Sequence, residues 1–122
     1  MPGHSTILCI DDEEIALSVR KMVLESAGYV VLTATNASQG LKVFQANNID
    51  LVITDHLLPP GTGSDLIARL RQLCPNLPIM VLSGETTLPE TVEPPDYYLH
   101  KLEGPVEMIT RVRSVILPEA GN

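Results

Sequence analysis

Three carboxylates, one hydroxyl and one ammonium stand where short apolar runs stop. Asp11 and Asp12 follow Thr6–Ile10, Asp55 follows Ile49–Thr54, Ser83 follows Pro78–Leu82, and Lys101 follows Tyr97–His100. Each run reads as a buried strand. In a parallel α/β sheet the carboxyl ends of the strands share one edge, and ligands bind in the crevice there. Residues far apart in the chain would then meet at one site. Clustered carboxylates repel one another, and a hard dication with oxygen ligands relieves that repulsion. A hydroxyl and an ammonium beside them suit a phosphoryl group, one as a hydrogen-bond donor and the other as a point charge.

The elements that must hold these positions alternate between strand and helix. Glu13–Ala27 places Ile15, Val19, Met22 and Val23 on one helical face, expected to be the buried one, and stops at Gly28, a residue suited to a left-handed helix end. Tyr29–Thr33 is a second short strand. Asn36 and Gln39 resemble a capping box, and Ala37, Leu41 and Phe44 give the next helix its inner stripe. A turn, Pro59-Pro60-Gly61-Thr62-Gly63, follows Asp55, and the helix after it carries Leu66, Ile67, Leu70 and Leu73 inward before Pro75. The last helix is predicted to begin near Pro105 and to bury Ile109, Val112 and Ile116. Between Ser83 and Asp96, Pro89, Pro94 and Pro95 break the rhythm. A long helix cannot run through them, because proline removes a backbone donor and clashes with the preceding turn. The fourth crossover is expected to be short or irregular.

The chain has 122 residues, which suits a single domain, taken as residues 1–122 with a core over about 5–117. Hydrophobic residues make up 44% and charged ones 19%, a globular composition. Fifteen acids against eight bases give a net charge of −7, and no basic cluster is present to neutralise phosphates, which argues against direct nucleic-acid binding. No apolar run is long enough to span a bilayer, so membrane insertion is not expected and a cytoplasmic setting is. Cys9 reads as a small core residue, and neither it nor Cys74 has the spacing of a metal or disulfide framework. His4 and His100 lack a second ligand at a useful spacing, alternation should point His56 away from Asp55, and none of the three is assigned to a metal.

With these residues laid out, the chain resembles the receiver domain of two-component response regulators over essentially its whole length. The matching pieces are Ile10-Asp11-Asp12-Glu13, Asp55 with Pro59 and Gly63, Ser83-Gly84, and Tyr98 three residues before Lys101. The resemblance implies a flavodoxin-like fold, a doubly wound five-stranded parallel sheet of strand order 2-1-3-4-5. It implies that Asp55 takes a phosphoryl group from a histidine kinase or phosphotransfer protein. Mg²⁺ would be bound by Asp12, Asp55 and the backbone carbonyl of Leu57, with Asp11 reaching it through water. Ser83 and Lys101 would hold phosphoryl oxygens, and Ser83 with Tyr98 would form the switch read by a downstream protein target. The stretch from Asp55 through Ser83 also resembles receivers appended to hybrid sensor kinases. A stand-alone protein and a domain of such a kinase both fit.

The chain departs from the family pattern in three places, one of them Pro94-Pro95, where a Gly-Ala pair commonly precedes the fifth strand. Lys101 is followed by Leu102 where the family usually has proline. A non-proline cis peptide costs roughly 2.5–4 kcal/mol, so a trans bond is expected. The interval from Ser83 to Lys101 is also shorter than usual, which implies a remodelled face there. Simpler roles compete at some positions. Glu13 and Glu14 suit the start of a helix, where acids complement its dipole. Tyr98 could be plain strand packing, with Tyr97 directed to the other face. The competing functions are a phosphorylation-independent receiver-like interaction module and an aspartyl-nucleophile phosphatase. The second needs an acid two residues after the nucleophile, where this chain has Leu57.

Overall fold

The computed structural model describes residues 5–55, 57–58, 61–83, 97–100 and 104–116. Strands β1 (Thr6–Ile10), β2 (Val30–Ala34), β3 (Leu51–Asp55), β6 (Ile79–Ser83) and β7 (Tyr97–His100) pair side by side in parallel, in the order β2-β1-β3-β6-β7. The order reverses direction at β1, which puts the topological switch point between β1 and β3. Two further strands, β4 (Leu57–Leu58) and β5 (Gly61–Thr62), form a small antiparallel ladder directly after Asp55. Leu57 stands opposite Thr62 and Leu58 opposite Gly61, while Pro59 and Pro60 of the expected turn lie outside the described residues.

Helices α1 (Glu14–Ser26), α2 (Ala37–Ala46), α3 (Gly63–Leu73) and α4 (Pro105–Val115) cover both faces. Strand alternation sorts the core into two layers. Ile7, Cys9, Leu51 and Ile53 face Leu17 and Leu24 of α1 and Val112 of α4. Leu8, Ile10, Val52 and Val81 face Leu66, Ile67 and Leu70 of α3, with Leu41 and Phe44 of α2 packed alongside. Because both faces are covered, the strands read as nearly continuous apolar runs. This is the parallel α/β arrangement expected from the sequence.

The helix ends follow local chemistry. Gly28 has φ +100°, a left-handed conformation that Cβ-bearing residues rarely adopt. The Gly28 and Tyr29 N–H groups donate to the carbonyls of Glu25 and Leu24, at 3.0 and 3.3 Å, closing a Schellman end on α1. Asn36 Oδ1 accepts the Gln39 N–H at 2.8 Å, as the capping box requires. Gln39 Oε1 reaches back one residue further than expected, accepting from the N–H and the hydroxyl of Thr35. Pro105 opens α4 as predicted.

The predicted inner face of α1 is corrected. Ile15 is 84% exposed and Met22 68%, and Val19 also faces solvent, whereas Leu17 and Leu24 are buried. The two sets interleave along the helix, and the leucines, not the Ile15–Met22 set, face the sheet. On α3, Leu66, Ile67 and Leu70 are buried as expected, while Leu73 at the helix end is partly exposed. The fourth crossover, residues 84–96, lies outside the described residues.

Candidate functional site

Register decides which residues meet. Ile10 aligns with Thr54 and with Ala34, Asp55 with Leu82, and Ser83 with His100, so the carboxyl ends of these strands form one edge. Asp11 is the first residue past β1 and Asp55 the last of β3. Alternation places both on the α1 side of the sheet, two residues beyond Cys9 and Ile53 respectively. One carboxylate oxygen from each of Asp11, Asp12 and Asp55 lies within 4.8 Å of the others. Asp11 and Asp55 are buried and Asp12 is exposed.

Buried carboxylates need partners. The Asp11 N–H donates to the carbonyl of Ala34 at 3.1 Å, tying the β1 end to β2. Asp11 Oδ1 accepts the Glu13 N–H at 2.9 Å, and Oδ2 accepts from Nη1 of Arg20 at 3.2 Å. The Thr54 hydroxyl, itself buried, donates to the backbone carbonyl of Asp55 at 3.2 Å. Glu13 is the N-cap of α1 and Glu14 lies in its first turn, in keeping with the helix-dipole role expected of them. Behind the acids, burial pushes the Cys9 thiol up to about 12; nearby Arg20 opposes the rise and Asp11 adds to it. Cys9 is inert core, as its position in a strand suggested.

Of the other predicted site residues, Ser83 ends β6 at the shared edge, and Leu57 opens the small ladder two residues past Asp55. Tyr98 lies in β7 opposite Val81, and its neighbour Tyr97 is partly exposed. Lys101, the Lys101–Leu102 peptide, His4 and His56 lie outside the described residues. The residue that sequence reasoning missed is Arg20. It sits three positions after Leu17 and four before Leu24, so an inner face drawn through those leucines would have included it.

The set of donors brought together is all oxygen and all acidic, which suits a hard dication such as Mg²⁺. Among the described residues no helix is long and apolar enough to cross a membrane.

Comparison with known proteins points one way. The family model for the response regulator receiver domain matches residues 7–113. The chain is 37% identical over 81 residues to the autoinducer 1 sensor kinase/phosphatase LuxN of Vibrio harveyi, a match covering 66% of this chain and 10% of that protein. It thus spans only about a tenth of that relative's length. A response regulator receiver domain protein from Clostridium thermocellum superposes with a TM-score of 0.84 at 31% identity, covering 92% of this chain and 94% of that one. The response regulator TrrA of Thermotoga maritima, solved in complex with Mg²⁺-BeF, superposes with a TM-score of 0.85 at 27% identity, covering 92% and 99% of the two chains.

Proposed function

The chain belongs to the response regulator receiver domain family, and from that premise we propose that it is a phosphoacceptor switch of a two-component phosphorelay. In this reading the sheet has the family's full five-strand order, 2-1-3-4-5, and residues 1–122 form one receiver domain. Asp55 is the nucleophile. Its carboxylate oxygen forms the new bond to phosphorus as the N–P bond of a phosphohistidine breaks, and the leaving imidazole nitrogen ends protonated. The product is an acyl phosphate on Asp55. Ser83 donates a hydrogen bond to the phosphoryl group and Lys101 stabilises another of its oxygens as a point charge. Ser83 and Tyr98 then shift together, and the altered surface is read by a downstream protein.

The observation that carries this reading is the meeting of Asp11, Asp12 and Asp55 within 4.8 Å at the edge shared by the strand ends. That donor set fits a divalent cation. Asp12, Asp55 and the Leu57 carbonyl would hold Mg²⁺, with Asp11 acting through water. When bound, Mg²⁺ supplies charge neutralisation for the transferring phosphoryl oxygens. The Mg²⁺-BeF complex of the Thermotoga relative supports Mg²⁺ as the cation. The partners in this reading are a histidine kinase or phosphotransfer protein on one side and a protein target on the other, in the cytoplasm, with no direct contact to nucleic acid.

Incubation with acetyl phosphate, with and without Mg²⁺, followed by intact mass, tests the proposal. The expected result is one Mg²⁺-dependent phosphate adduct that disappears in Asp55→Asn. No adduct under any condition would leave the phosphorylation-independent interaction module as the better account.

A further inference from the structure

Arg20 is a cation on the inner face of a helix. Its side chain is 10% exposed, and the Asp11 side chain it meets at 3.2 Å is 1% exposed. The second oxygen of Asp11 is engaged by the Glu13 N–H. Asp11 is therefore held from two sides by its own chain, with no ligand required. Arg20 also lines the cleft between α1 and α4, beside Val19, Val23, Pro105 and Met108. Its guanidinium is a planar cationic donor fork whose geometry matches a carboxylate.

We propose that Arg20 is a resident counter-ion of the acid cluster and competes with the divalent cation for it. The inference rests on the reading that the cluster takes Mg²⁺. Buried like charges raise the energy of the fold unless an opposite charge accompanies them. Arg20 meets that need in the metal-free chain. The same fixed charge lies one carboxylate away from any cation arriving at Asp12 and Asp55, and it opposes that cation through a poorly screened medium. Arg20 thus makes the empty site tolerable and lowers its affinity for the metal. A purely structural role, in which Arg20 only orients Asp11 for the metal, predicts the opposite sign when it is removed.

The test uses the full chain and Mg²⁺ alone, titrated into wild type, Arg20→Gln and Arg20→Lys at fixed ionic strength. Binding is followed by backbone amide shifts, alongside thermal midpoints in chelator and in Mg²⁺. For Arg20→Gln the expected results are Mg²⁺ binding roughly tenfold tighter, a lower midpoint in chelator and a larger rise on adding Mg²⁺. Arg20→Lys should change in the same direction by less. Unchanged or weaker Mg²⁺ binding in a folded variant overturns the proposal while leaving the metal site standing. Should Arg20→Gln fold only in Mg²⁺, that result supports it. Should it fold in neither condition, Arg20→Lys decides, and binding no tighter than wild type overturns the proposal. Absence of any Mg²⁺ effect on wild type removes the metal reading, and the role of Arg20 with it.

Discussion

Helices α1 and α3 pack on opposite faces of the same sheet and place their apolar residues differently. In α3, Leu66, Ile67 and Leu70 all turn inward and are buried. In α1, Ile15, Val19 and Met22 face water, and the inner face is built from Leu17, Leu24 and Arg20. The difference lies in what each helix must cover. Helix α3 lies over aliphatic strand residues. The start of α1 lies beside Asp11, so its inner face has to carry a cation as well as leucines. Hydrophobic periodicity locates a helix by its apolar stripe, and it misleads where the buried face contains a functional charge.

The largest effects should come from the inner leucines of both helices. Leu70→Ala and Leu24→Ala each remove a fully buried side chain and should destabilise the fold by about 2–5 kcal/mol in urea denaturation. A small loss at Leu24 would mean that α1 does not pack as described. The two cysteines sharpen the contrast between faces next. Cys9 is buried beneath α1 with its thiol raised by burial, while Cys74 at the end of α3 is only half-buried. Native alkylation at mildly alkaline pH should label Cys74 first, with Cys9 slower by roughly a hundredfold or more. Because the folded thiol titrates above its unfolded value, its burial as the neutral thiol favours folding below the ordinary thiol range, and that stabilisation is lost as pH rises toward 12.

Gly40 tests the α2 layer that flanks α3. A Cβ there would lie 2.6 Å from Cδ1 of Ile10, the residue before Asp11. Overpacking of about 1–3 kcal/mol outweighs the helix propensity gained, about 1 kcal/mol, so Gly40→Ala should be less stable than wild type. On the α1 side, the Tyr29 hydroxyl donates to the carbonyl of Ile116 at 2.9 Å, tying β2 to the end of α4. Tyr29→Phe should lose about 1 kcal/mol by thermal or urea melts. The smallest effect is the most pointed. Met22→Gln, on the apolar but exposed face of α1, should change stability by no more than about 0.5 kcal/mol. A loss near that of Leu24→Ala would reverse the assignment of faces.

Much of this was legible in the chain because covered parallel strands are continuous apolar runs whose ends are marked by polar residues. The ends at Asp11 and Asp55, the Gly28 stop, the Asn36 cap and the Pro105 start are each dictated by local chemistry. The Leu57–Thr62 ladder was not legible, because backbone pairing across two residues leaves no side-chain pattern. Arg20 was not, because a buried ion pair nine residues apart along the chain depends on how α1 rotates against the sheet, which tertiary packing alone decides.

Convergence of the strand ends should make Asp55 the phosphoacceptor. Its most direct test is to load the chain with acetyl phosphate and Mg²⁺, reduce the acyl phosphate with borohydride, and locate the modified residue by peptide sequencing. The expected result is conversion of the aspartate at position 55 to homoserine, and at no other position. Modification at Asp11 or Asp12 instead, or none in a chain that binds Mg²⁺, would contradict it.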